Sequence, residues 1–111
     1  MYTKELAKQS VGVGWGGLIE AIYNKAEQLK ATLNVLQVKE KFGGLRFYCD
    51  TTEEMQDFVW NMEFASMTVC EFCGKEGHSV SIGGWYKTLC DACYSEHNGY
   101  KDKDATNKKM S

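Results

Sequence analysis

The chain has 111 residues, of which 43% are hydrophobic and 13% aromatic, and its formal net charge is −2. This length fits one small domain with a modest core, and no segment reaches the roughly 20 apolar residues of a membrane-spanning helix. The acidic balance argues against a non-specific nucleic-acid binder, which usually has a basic surface. Because the N-terminus lacks the apolar centre of a signal peptide, we expect a cytoplasmic protein with reduced cysteines.

The first strong pattern is an amphipathic helix over residues 16–33, where apolar residues recur at intervals of three and four. The preceding segment, Val11–Gly17, holds four of the eleven glycines. It does not match a phosphate-binding loop, because no Gly-Lys-Ser/Thr follows it. We interpret it as a flexible lead-in whose Trp15 anchors the start of the helix to the core.

Residues 35–50 predict a β-hairpin, since two alternating runs flank Gly43-Gly44 and both glycines accept the positive φ of a tight turn. That register places Lys41 opposite Arg46, a like-charge pair that costs stability. It also places Glu40 on the apolar face, where a carboxylate needs a partner. The apolar face predicted from this register consists of Leu36, Val38, Phe42, Leu45, Phe47 and Cys49.

The outward face of the hairpin is the candidate partner-binding surface. It carries three cations and a tyrosine, which are typical anchors of macromolecular interfaces. Unusual local choices such as facing cations often mark functional sites, although two exposed cations also solvate readily. The candidate contacts are Lys39, Lys41, Arg46 and Tyr48.

A second helix is predicted over residues 52–66. Thr51 and Glu54 suit a capping box, and the acidic first turn suits the helix dipole. Met55, Phe58 and Val59 begin an inward stripe that we interpret as core. Trp60 lies off this stripe and is expected to pack against the cysteine-rich end of the chain.

Two cysteine pairs, Cys70-Glu-Phe-Cys73 and Cys90-Asp-Ala-Cys93, are separated by sixteen residues. Two such turns supply the four soft ligands of a tetrahedral Zn²⁺ site, so we predict structural zinc. Iron bound by the same thiolates is a less favoured alternative. A redox pair would explain only one motif, and a disulfide needs an oxidising compartment. With zinc bound to four thiolates, the net charge becomes about −4.

The zinc module is predicted over about residues 69–98, with a second hairpin turning at Gly83-Gly84. The second cysteine pair either opens a short helix, as in a treble clef, or belongs to a plain zinc ribbon. A site of three cysteines and one histidine, with His78 or His97 as the fourth ligand, is an alternative. Residues 1–98 then form a single domain, and 99–111 are predicted to be a disordered polar tail.

Several of these motifs together resemble an uncharacterised group of small proteins encoded by bacteria and their phages. The resemblance covers about residues 12–93 and is strongest in Val38-Lys-Glu-Lys-Phe-Gly-Gly-Leu-Arg-Phe-Tyr48. It continues in Cys-Glu-x-Cys-Gly and in Gly-Trp-x-x-Thr-Leu-Cys-Asp. What it implies is an α+β fold in the order helix, hairpin, helix, zinc module. It implies no activity.

We predict from these features a zinc-stabilised module that binds another macromolecule, more readily a protein than a nucleic acid. In a phage setting its partner would be a host protein. Nucleic-acid binding through the basic and aromatic hairpin face is the alternative. An enzyme is less favoured, because four cysteines leave zinc no open position for water. The oligomeric state is left open.

Overall fold

The computed structural model describes residues 2–96. It has an α+β architecture in which three helices and a β-hairpin precede a second hairpin and a helical segment at 91–96, which confirms the predicted fold class. The predicted tail and His97 lie outside the described residues. The elements in chain order are α1 (Lys4–Gln9), α2 (Gly16–Leu29), β1 (Leu33–Lys41), β2 (Gly44–Thr51), α3 (Glu53–Ala65), β3 (His78–Ile82) and β4 (Trp85–Leu89).

The helix ends follow local chemistry. Helix α2 stops at Lys30, which adopts a left-handed φ of 54° and donates its N–H to the carbonyls of Ala26 and Glu27. Helix α3 starts after Thr52, whose side chain accepts the N–H of Met55 at 3.2 Å. The cap is therefore Thr52, and the prediction of Thr51 was wrong by one residue. No helix among the described residues is long and apolar enough to span a membrane.

The main core lies between the helices and the inner face of the first hairpin. Burying each large apolar side chain there stabilises the fold by about 1.5–3 kcal/mol. Its buried members are Ala7, Trp15, Ile19, Ile22, Ala26, Val35, Val38, Leu45, Phe47, Met55 and Val59.

The register of the first hairpin differs from the prediction. Strand β1 pairs with β2 through Lys41↔Gly44 and Lys39↔Arg46, so the turn residues are Phe42 and Gly43. The predicted Lys41–Arg46 pair is therefore wrong, and Lys39 is the cation opposite Arg46. A bulge follows Val35.

The turn forms at Phe42-Gly43 and not at the predicted Gly43-Gly44. Contacts with groups outside the turn explain this difference. The Glu40 carboxylate accepts the N–H of Gly43 at 2.6 Å, which gives this charged side chain the partner it needs. A Cβ on Gly43 would lie 3.1 Å from the backbone of Lys87 in β4, so glycine is required where the turn meets the second hairpin. The shift leaves Leu36 and Phe42 exposed, in contrast to the predicted apolar face.

The free edge of β2 is covered by the C-terminal end of α3. The N–H of Leu45 donates to the Ser66 hydroxyl at 2.9 Å, and the N–H of Phe47 donates to the Glu63 carboxylate at 2.7 Å. Side chains thus satisfy strand donors that would otherwise attract another strand. These two bonds also fix α3 antiparallel to β2, with Glu63 level with Phe47.

Candidate metal centre and neighbouring groove

The first cysteine pair sits in a tight knuckle. Gly74 has a φ of 82°, as expected for the residue that closes such a turn, and donates its N–H to the Cys70 carbonyl at 2.9 Å. The Cys70 N–H donates to the Lys75 carbonyl at 2.7 Å. The turn therefore points both sulfurs to the same side of the backbone.

The second pair follows β4 directly. Cys90 comes immediately after the last residue of the strand, and Cys93 lies in the helical segment at 91–96, where its N–H donates to the Cys90 sulfur at 3.4 Å. The predicted turn of β3 and β4 at Gly83-Gly84 is present, with both glycines at positive φ. The order knuckle, hairpin, helix corresponds to the treble-clef alternative.

The four cysteine sulfurs converge. Cys70, Cys73, Cys90 and Cys93 place their ligand atoms within 4.8 Å of one another, and the Cys73 and Cys90 sulfurs are 3.5 Å apart. Sulfurs bound to one Zn²⁺ at 2.3 Å would be about 3.8 Å apart, whereas a disulfide would bring them to about 2.05 Å. The four cysteines are thus positioned to bind a metal ion.

The electrostatic surroundings of the four sulfurs also favour binding of a cation between them. Burial raises the pKa of Cys70, but the backbone N–H groups of Cys90, Cys73 and Phe72 outweigh it and lower that pKa to about 6. The adjacent sulfurs, Cys90 first, raise the pKa of Cys93 above its ordinary value. Four thiolates so close together repel one another, and a divalent ion removes that repulsion.

His78 does not belong to the converging set. Its Nε2 lies 3.5 Å from the Asp91 carboxylate, and both side chains are largely exposed. The group of potential ligands among residues 2–96 consists of four cysteines. The structure therefore favours the four-cysteine set over a set in which His78 replaces one cysteine.

A buried carboxylate lies inside the first knuckle. Glu71 is 4% exposed; its Oε2 accepts the Thr88 N–H at 2.9 Å, and its Oε1 is 3.8 Å from the Lys87 ammonium. The Thr88 hydroxyl in turn donates to the Gly43 carbonyl at 2.6 Å. Glu71 thus connects the knuckle to β4, and Thr88 connects β4 to the first hairpin. Sequence reasoning missed this role, because a glutamate between two cysteines carries no signal of burial.

The glycine-rich segment Val11–Gly17 packs against the knuckle. A Cβ on Gly12 would lie 2.2 Å from the Glu71 carbonyl oxygen, and one on Gly14 would lie 2.0 Å from the Cys70 carbonyl oxygen. Trp15 is fully buried and donates its indole N–H to the Val69 carbonyl at 2.8 Å. The anchoring role of Trp15 is confirmed. The glycines, however, serve a close backbone contact, and this segment is no flexible lead-in.

Three of the four candidate partner-binding residues meet at one groove. Lys41, Arg46 and Tyr48 line a space of about 510 Å³ between the first hairpin and α3. Lys39 is not among the lining residues, and its ammonium lies 5.9 Å from the centre of the Tyr48 ring. The hairpin face is thus continuous with a groove that the sequence did not predict.

Helix α3 forms the other wall of that groove with Gln56, Trp60 and Glu63. Trp60 is 59% exposed, so the expectation that it packs against the cysteine-rich end was wrong. One turn further along the helix, Phe64 is 78% exposed. Residues four apart share a helix face, so this spacing could have indicated an exposed aromatic stripe.

Among residues 2–96, the cations of the hairpin face have no acidic partner. In the part of the chain that the structure describes, Lys39, Lys41 and Arg46 take part in none of the ion pairs. Glu63, the acid in the groove, already accepts the Phe47 N–H. The face therefore presents positive charge that is available to a ligand.

No protein-family model, no curated protein and no solved structure matches this chain.

Proposed function

We propose that this protein is a zinc-stabilised module that binds another protein through the groove between the first hairpin and α3. The zinc part of the proposal is supported by the donor set. Four cysteine sulfurs fill a tetrahedron and leave no position for water, which a catalytic zinc would keep. Zinc then holds the fold together, and the binding surface lies elsewhere.

The groove itself is the observation that carries the protein-binding proposal. It combines an exposed Trp60, a partly exposed Tyr48 and Arg46, and these three residue types dominate the energetics of protein interfaces. Its lining includes Glu63 and Gln56 beside the cations. Such a mixed lining suits a protein partner better than a polyanion, which would favour uniformly basic walls.

The setting follows from the resemblance and from the cysteines. We place the protein in a bacterial cytoplasm, where thiols stay reduced. The resemblance to small bacterial and phage proteins supports a host protein as the partner. A bacterial lysate is accordingly the source in which to search for it.

Affinity capture tests the groove. The tagged wild-type chain should retain a specific protein from bacterial lysate, and Trp60→Ala or Arg46→Ala/Tyr48→Ala should lose it. Leu36→Ala is the matched control, because Leu36 is an exposed apolar residue outside the groove. Equal capture by all variants would contradict the proposal.

A binding titration separates the protein hypothesis from the nucleic-acid hypothesis. Fluorescence anisotropy with labelled single-stranded oligonucleotides at low salt should show no affinity that depends on Arg46 or Tyr48. Nucleic-acid binding that collapses as salt rises would overturn the protein proposal. Elemental analysis and the absorption spectrum identify the metal, since zinc thiolates are colourless and iron thiolates absorb visible light.

A further inference from the structure

We infer that a second copy of the chain also binds in this groove, in a two-fold symmetric dimer centred on Trp60. The inference rests on the proposed function in using the same groove, and it adds a second occupant that would compete with a host protein for this surface. Its basis is the distribution of apolar and charged side chains along this face.

The centre of the face is aromatic and exposed. Trp60 is 59% exposed, Phe64 78% and Tyr48 43%. Met67, which is 48% exposed, continues the spacing of Trp60 and Phe64 just beyond the end of α3. A contiguous exposed apolar stripe of this kind marks an interaction site.

Charge of opposite sign lies on the two sides of that centre. Arg46, Lys41 and Lys39 lie toward the tip of the first hairpin. Glu53 and Asp57 lie toward its base, in the N-terminal half of α3, and both are exposed. Neither acid takes part in an ion pair among residues 2–96. The same surface thus carries unpaired cations at one end and unpaired acids at the other.

The spacing suits a two-fold axis. Because Glu63 is level with Phe47, Arg46 lies about 8 Å from Trp60 toward the tip, from the rise per residue of helix and strand. Asp57 and Glu53 lie about 5 and 10 Å from Trp60 in the other direction. A two-fold axis at Trp60 therefore brings the cations of each copy opposite the acids of the other.

In a two-fold symmetric interface of this kind, each contact between a residue of one copy and a residue of the other occurs twice. The aromatic centre would stack on itself and exclude water, while two symmetric sets of Arg46–Asp57 contacts would fix the orientation. The formal net charge of −2, which becomes about −4 when four thiolates bind zinc, is small enough that two copies repel each other only weakly. A second copy of this chain therefore supplies the aromatic, acidic and basic side chains that complement this surface.

Sedimentation equilibrium of the purified, metal-loaded chain tests the dimer. The wild type should show a monomer–dimer equilibrium, and Trp60→Ala should be monomeric over the same concentrations. Arg46→Asp and Asp57→Arg should each weaken self-association by about tenfold or more, because each reversal replaces two attractions with two repulsions. Glu27→Arg, a reversal at an exposed residue of α2, should leave it unchanged.

Mixing the two single variants gives the sharpest readout. A heterodimer of Arg46→Asp with Asp57→Arg has two attractive contacts. In one, the original Asp57 of the first variant meets the original Arg46 of the second; in the other, the two substituted residues meet. The equimolar mixture should therefore associate more tightly than either variant alone. Misfolded variants could not recover in this way. A mixture that stays monomeric, or a wild type that stays monomeric up to about 1 mM, would overturn the inference.

The outcome is distinguishable from that of the capture experiment. A monomeric wild type whose captured host protein depends on Trp60 supports the proposed function and removes the dimer. A dimer that follows the charge-reversal pattern supports the inference even where the lysate, which holds no second copy, yields nothing.

Discussion

The backbone N–H of Gly14 donates a hydrogen bond of 2.7 Å to the carbonyl oxygen of Glu71. Glu71 in turn donates its own N–H to the Thr88 carbonyl at 3.0 Å. The segment before α2, the first knuckle and β4 are therefore joined by consecutive backbone bonds. The metal module is built onto the main core through this contact, so a change at either partner is expected to reach the cysteine cluster.

Gly14→Ala should destabilise the protein by about 2 kcal/mol or more, because backbone that a methyl group would overlap must move. The new Cβ would lie 2.0 Å from the Cys70 carbonyl oxygen. We expect a lower urea midpoint and faster metal transfer to a chromogenic chelator.

Gly17→Ala is the control for that variant. A Cβ on Gly17 meets no atom within 4 Å, and alanine favours the helix in which Gly17 lies. This variant should be at least as stable as the wild type. If both variants behaved alike, the close contact at Gly14 would have no energetic importance.

The parts of the fold that the sequence predicts well depend on local signals. The spacing of the cysteines, the Gly83-Gly84 turn and the periodicity of α2 and α3 each involve neighbours in the chain. The turn of the first hairpin is decided differently. The turn forms at Phe42-Gly43 and not at Gly43-Gly44, because Gly43 contacts the Glu40 carboxylate and the backbone of Lys87, which lies 44 residues further along.

In the candidate site too, the local features could be predicted from the sequence and the long-range ones could not. The four cysteines that are positioned to bind a metal ion could be predicted from their spacing, because each pair forms a local turn. The groove depends on how α3 lies along β2, which is set by Glu63 and Ser66 bonding to strand N–H groups. Long-range contacts of this kind leave no periodic signal, so the groove and the buried Glu71 could not be placed from the sequence.

Cys70→Ser should abolish stoichiometric metal binding. Structural zinc sites contribute on the order of 10 kcal/mol to folding, so the module around β3 and β4 should lose its fixed structure. Elemental analysis should give one zinc per wild-type chain, and circular dichroism with a chelator titration should report the unfolding.

Cys49→Ser provides the matched control for metal binding. Cys49 lies on β2, outside the converging group of cysteines. This variant should keep one zinc per chain. Loss of zinc from Cys49→Ser, or retention by Cys70→Ser, would contradict the assignment of the four converging cysteines as the ligands.

The Cys49 thiol should react slowly in the native, metal-loaded protein. Burial, followed by the charges of Glu63 and Asp50, raises its pKa above the ordinary 9.0. A raised pKa favours the neutral thiol, so its contribution to stability is complete below pH 9 and is lost as the pH rises through the folded-state value. Iodoacetamide should therefore modify native Cys49 more slowly than the urea-unfolded chain at pH 8.

The pH dependence and one charge variant check this explanation. The difference in rate should shrink as the pH rises well above 9, where both states become thiolate. Asp50→Asn should accelerate the reaction of native Cys49, because it removes one of the charges that raise the pKa of this thiol. Glu53→Gln removes a nearby charge that does not contribute to the raised pKa, so it should leave the rate unchanged. Equal rates in the native and unfolded chains at pH 8 would refute the raised pKa.

Phe42→Asn should stabilise the protein. Phe42 holds a φ of 54° in the turn of the first hairpin, a conformation that costs a non-glycine residue about 1–2 kcal/mol and that asparagine adopts more readily. Its ring is 67% exposed, so little burial is lost, and the Lys41 ammonium 5.7 Å from the ring contributes about 0.5 kcal/mol. The free energy of unfolding in urea should rise by about 0.5–1 kcal/mol. Leu36→Asn removes a similarly exposed apolar side chain without relieving a positive φ, so it should give no such gain. A stability loss in Phe42→Asn equal to that in Leu36→Asn would show that the turn stores no strain.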